Sequence, residues 1–95
     1  MTFNEFCERV GQLYDKLPKE LQVKFGINVE EEPSEFSKKL NPFGYWTNLI
    51  PENITLCYWV FKYHGDFTDE HINRVIHHEV EHLLLHRFGI KHSEH

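Results

Sequence analysis

The sequence predicts a small α+β domain, with helices at both ends and a little sheet between them. Three observations carry that expectation. Apolar residues recur at helical spacing near the N-terminus, a β-branched and aromatic run interrupts the middle, and a second helical pattern closes the chain between a capping threonine and a glycine. At 95 residues, with 40% hydrophobic and 15% aromatic content, the chain can close one small core but hardly two. Residues 1–95 are therefore read as one domain.

The elements follow in order. In "TFNEFCERVGQLYDKL", Phe3, Phe6, Val10, Leu13, Tyr14 and Leu17 share one helical face, with Thr2 or Asn4 available as the cap. Pro18 suits the first turn of a short second helix through "PKELQVKF", and Gly26 is placed to end it. "INVEEEP" alternates from Ile27 to Val29 and then runs into Glu30, Glu31 and Glu32, which read as a solvated strand end more readily than as metal ligands. From Pro33 to Pro51 the chain reads as a long loop with one turn of helix and a short strand at "GYW", whose Tyr45 and Trp46 are expected in the core or in a hairpin. "NITLCYWVFKY", residues 53 to 63, is the strongest strand signal, and "HGD" ends it. Thr68 then caps a helix over 69–88 with Asp69 and Glu70 in its first turn, and Gly89 stands just past its end.

Charge and composition exclude several roles. A net charge of -5, with Lys and Arg scattered, offers no basic patch to a nucleic acid. The charged N-terminus has no apolar leader and no stretch approaches the length of a membrane span, so the expectation is a cytoplasmic protein with no membrane partner. Cys7 and Cys57 form no CxxC pair and read as small buried hydrophobes rather than thiolate ligands.

The chemistry is concentrated in "VIHHEVEHLLLHRFGIKH", residues 75 to 92. On a helix, His71, His78, His82 and His86 fall in one arc beside the apolar stripe of Ile72, Val75, Ile76 and Leu83. Residues four apart are neighbours, so His78 with His82, or His82 with His86, can converge on one Zn²⁺. His78 and His86 are about 12 Å apart along the axis and do not share an ion. The first pair belongs to "HEVEH", an instance of HExxH, in which Glu79 is placed to take a proton from the water that the metal activates. The second pair has Leu83 where that general base would stand. His92, the third residue beyond Gly89, is the candidate third ligand. A metzincin is excluded, because Gly89 comes seven residues after His82 rather than three and Met1 is the only methionine.

Taken together, "FNEFCERVGQLYDKLPKEL", "INVEEEP", "PFGYW", "ENITLCYW" and "HEVEH...RFGIKH" resemble the small bacterial minimal zincin, or zincin-like metallopeptidase, family. The likeness spans nearly the whole chain, and only its HExxH segment is specific. It implies a compact zincin-like α+β fold with N-terminal helices, a small sheet and a C-terminal HExxH helix, together with a zinc site and peptidase activity. One departure matters. The family helix reads HExxHxFG with a ligand, commonly acidic, three residues past the glycine, whereas four extra residues here separate "HEVEH" from "RFGIKH". Either a turn is inserted after His82, preserving His78, Glu79 and His82, or "HLLLHRFGIKH" aligns without a gap, giving His82, His86 and His92 as ligands. Ile72, Val75 and Ile76 keep the family's spacing ahead of HExxH, which favours the first.

The leading expectation is thus a zinc-dependent peptidase acting on a peptide or protein, with His78, His82 and His92 as metal ligands and Glu79 as general base. "NITLCYWVF" is expected to offer an edge to an extended substrate. The alternatives are a non-catalytic zinc domain built on His82, His86 and His92, and a metal-free interaction module whose histidines merely border the core.

Overall fold

The computed structural model of the chain describes residues 1–47 and 49–89. Five helices and a three-stranded sheet follow in the order α1 (Phe3–Asp15), α2 (Lys19–Gln22), β1 (Gly26–Glu30), α3 (Glu35–Leu40), β2 (Gly44–Trp46), β3 (Asn53–Cys57), α4 (Tyr58–His64) and α5 (Asp69–Arg87). The α+β class expected from the sequence is therefore observed.

Local chemistry explains the helix starts. The Thr2 hydroxyl accepts from the Glu5 N–H at 3.2 Å while the Glu5 carboxylate accepts from the Thr2 N–H at 2.9 Å, a reciprocal cap that satisfies two otherwise orphaned donors. Thr68 caps α5 in the expected way, its hydroxyl accepting from the His71 N–H at 3.2 Å. Past the other end of α5, Gly89 sits at φ +72, a left-handed conformation that favours glycine after a helix. The second helix is shorter than expected. It stops at Gln22, Phe25 turns into the core, and Gly26 opens β1 instead of closing α2.

The sheet has the order β1-β3-β2, with β1 parallel and β2 antiparallel to β3. Two expectations change here. The run from Asn53 to Tyr63 is not one strand, because the chain leaves the sheet after Cys57 and winds directly into α4. Tyr58, Val60 and Phe61 are buried on that helix, with Tyr58 and Phe61 meeting Phe6 of α1 at ring distances of 5.4 and 5.0 Å. Strand propensity measures the fit of a side chain to its neighbours, and α1 supplies a better fit to a helix here. Nor does β3 present an edge. It is the middle strand, and the outer edges belong to β1 and β2.

One apolar cluster joins α1, the sheet, α4 and α5, with Phe6, Ile54, Leu56, Phe61, Ile72 and Leu83 all fully buried. The α5 helix lies across β2 and β3 and touches α1 near its start, where Arg9 pairs with Asp69. On the opposite face of the sheet, Phe36 of α3 packs against Tyr45 of β2 at 4.9 Å. Among the described residues, no helix is long and apolar enough to cross a membrane.

Candidate metal centre and cleft

The contact between β2 and α5 shapes the site. Gly44 pairs with Leu56 in the antiparallel register, and a Cβ at Gly44 would lie 2.9 Å from Val75 Cγ1 and 3.0 Å from the Thr55 carbonyl. Only glycine lets the strand approach the helix this closely. Where β2 and the segment before it diverge from α5, a cleft of about 370 Å³ opens. Residues 42–44 form one wall, and the α5 stripe His71, Arg74, Val75, His78 and Glu79 forms the other. Those five positions step by three and four residues, so one helical face carries them all.

HExxH lies at the end of that stripe. His78 and His82 are one turn apart, and their Nε2 atoms approach to 3.3 Å. Their rings stand nearly perpendicular, at 81°, with centroids 4.8 Å apart. Glu79 is 3% exposed, and its Oε2 is 4.0 Å from His78 Nε2. His82 is also buried, whereas the His78 side chain retains 54% of its exposure. The three groups therefore run from the core to the cleft rim.

The fit to a metal is testable from this distance. Two imidazole nitrogens bound to one Zn²⁺ at about 2.0 to 2.1 Å, at the tetrahedral angle, lie about 3.3 to 3.4 Å apart. The observed separation fits that geometry. Among the described residues, no group of three or more His, Cys, Asp or Glu side chains is arranged to hold a metal ion. The candidate third ligand His92 lies outside the described residues. His86 is not directed to the pair; its ring packs on Trp46 at 4.8 Å.

His71 also lines the cleft. Its Nδ1 lies 3.2 Å from the Asp66 carboxylate and 3.1 Å from the Asp66 carbonyl, and its ring packs edge-on to Phe43 at 4.5 Å. The Asp66 carboxyl is held below its ordinary pKa, chiefly by hydrogen bonds from the Thr68 backbone and hydroxyl.

A second polar cluster occupies the other side of the sheet. Glu31 and Glu32 are exposed, as a solvated strand end should be, but Glu30 is not solvated in that way. Its carboxylate accepts from Tyr45 Oη at 3.2 Å, Trp59 Nε1 at 3.1 Å and Cys57 Sγ at 3.5 Å. The expectation of a solvated strand end fails there because the sheet register carries Glu30 opposite Cys57. Cys57 is fully buried, and burial first, then the charge and hydrogen bond of Glu30, then the charge of Glu79, push its thiol far above the ordinary range. This suits the reading of an inert thiol.

Sequence reasoning missed the wall of the cleft formed by residues 42–44 and the role of Arg74 as a lining residue. The "PFG" triplet was the only local signal. In comparisons with protein-family models, curated proteins and solved structures, nothing matches this chain.

Proposed function

We propose that the protein is a zincin-like zinc-dependent peptidase in which His78 and His82 hold the metal and Glu79 is the general base. The observation that carries this reading is the 3.3 Å approach of the two Nε2 atoms beside a buried carboxylate at the end of a cleft. When bound, the zinc would polarise the substrate carbonyl and acidify the attacking water.

The chain's own groups do the rest. Glu79 follows the first imidazole by one residue and so lies about 100° around the helix from it, beside the metal pair and in the lining of the cleft. From there its carboxylate takes a proton as water adds to the carbonyl carbon and delivers that proton to the departing amine nitrogen as the C–N bond breaks. Burial keeps competing solvent from the carboxylate and fixes its direction. Residues 42–44, opposite, hold the peptide against α5.

We assign His92 as the third ligand. Gly89 is seven residues after His82, about 10.5 Å at helical rise, and three residues of chain beyond it span at most about 10 to 11 Å. The two lengths only just match, so the reach of the His92 imidazole itself has to close the remaining gap, and the left-handed Gly89 is the residue at which helices commonly reverse. The shifted set of His82, His86 and His92 is less well supported, because it puts Leu83 in place of the base and requires His86 to leave Trp46.

Metal content and peptide hydrolysis of the untagged protein test the assignment. Zinc should be stoichiometric in wild type, Glu79→Gln and His86→Ala and lost from His78→Ala, with hydrolysis abolished in Glu79→Gln. Zinc lost from His86→Ala but retained in His78→Ala would overturn the assignment in favour of the shifted, non-catalytic site.

A further inference from the structure

Among the described residues that line the cleft, Arg74 is the one fixed cation and Glu79 the one carboxylate, carried on the same helical stripe as His71 and His78. Phe43 and Val75 supply apolar surface between them. Arg74 is four residues from His78, about 6 Å along α5, which is close to the length of two extended peptide residues. Its present partner is Glu70, at 3.1 Å, with both side chains mostly exposed at 69% and 83%. An exposed pair of this kind holds its partners weakly, so the guanidinium can turn to a second carboxylate with a better fit.

We infer that Arg74 binds the terminal carboxylate of short peptide substrates, and that the cleft selects chains ending within about two residues of the bond presented to His78 and Glu79. This rests on the peptidase reading for the reaction but not for the binding. Three observations support it: Arg74 is the one fixed cation among the described lining residues, its helical distance from His78 matches about two peptide residues, and the cleft is small. A volume of about 370 Å³ is at the small end for ligand sites and suits a few residues rather than a long polypeptide.

Binding in the Glu79→Gln protein tests the inference apart from turnover. The probes are N-acetyl-Ala-Ala-Phe with a free carboxylate, the same peptide as its amide, and N-acetyl-Ala-Ala-Glu amide, each titrated against the isotope-labelled protein and followed by NMR shifts. The free acid should bind about tenfold more tightly than its amide, as expected for a charge-assisted pair. Adding Arg74→Gln should bring acid and amide within about twofold, and adding Glu70→Gln instead should tighten the acid alone by about two- to threefold. Equal binding of acid and amide would overturn the inference. So would a preference that survives Arg74→Gln, which would put the carboxylate on another cation. If the Glu-containing amide matched the acid, the recognised group would be a side chain, and the terminal selection would be wrong. A wild type that hydrolyses none of these peptides while the Arg74-dependent preference persists would overturn the peptidase reading and leave the carboxylate site standing.

Discussion

Glu30 shows how one side chain can be misjudged from its neighbours in sequence. It belongs to an acidic run, yet the register of β1 on β3 turns it toward Cys57, Tyr45 and Trp59 while Glu31 and Glu32 stay in solvent. Burial alone would raise its pKa, but hydrogen bonds from Ser37, Trp59, Ser34 and Cys57 together outweigh that and hold it below the ordinary 4.5. A carboxyl depressed in the fold contributes stability that is complete above its unfolded pKa and is lost as pH falls through the folded value. Glu30→Gln should therefore lower the unfolding free energy at neutral pH by about 1 kcal/mol. It should also narrow the gap between neutral and acid stability relative to wild type. Urea unfolding at pH about 7 and about 3 would check this, and a Glu30→Gln protein as pH-sensitive as wild type over that interval would count against the role.

Among the elements, the meeting of β2 and α5 decides the most. A methyl group at Gly44 meets a side chain at 2.9 Å and a backbone carbonyl at 3.0 Å, and the carbonyl is fixed in the ladder. Gly44→Ala should cost about 1 to 3 kcal/mol by overpacking and displace the cleft wall. Gly11→Ala is the contrasting change, since nothing lies within 4 Å of a Cβ at that helical position, and it should stabilise α1 by about 0.5 to 1 kcal/mol. Thermal unfolding of the two variants should move in opposite directions. The same contrast explains what could be read from the chain alone. Thr2, Thr68 and Gly89 act within a few residues of themselves, and a four-residue spacing brings His78 to His82 in any helix, so α1, α5 and the histidine pair were legible. The end of β3 at Cys57 depends on Phe6, far away in sequence, and the opposite wall of the cleft depends on strand register. The first leaves no local mark, and the second leaves only the "PFG" triplet.

Among the described residues one apolar cluster forms the core, which limits the stability burial can supply to a chain of this length. A metal bound only by the folded state adds stability in proportion to the logarithm of its saturation, about 2.7 kcal/mol at one hundred times the dissociation constant. If His78 and His82 share zinc, removing it with a chelator should lower Tm by roughly 10 to 20 °C, given about 4 to 8 °C per kcal/mol in a domain of this size. Restored zinc should reverse the loss. An unchanged Tm would favour the metal-free module in which the histidines only border the core.

The central place of β3 also bears on how the chain reaches this structure. Both outer strands precede it in sequence, and Gly26 must wait for Asn53 and Gly44 for Leu56 before either has a partner. No neighbour-to-neighbour hairpin can start the sheet from β1, so its parallel half closes only through long-range encounter, the slow class of event in folding. During synthesis, a nascent chain ending at residue 52 would hold two strands with nothing to align them. Completion of the sheet, and of the surface on which α5 docks, is thereby deferred until β3 itself has been made.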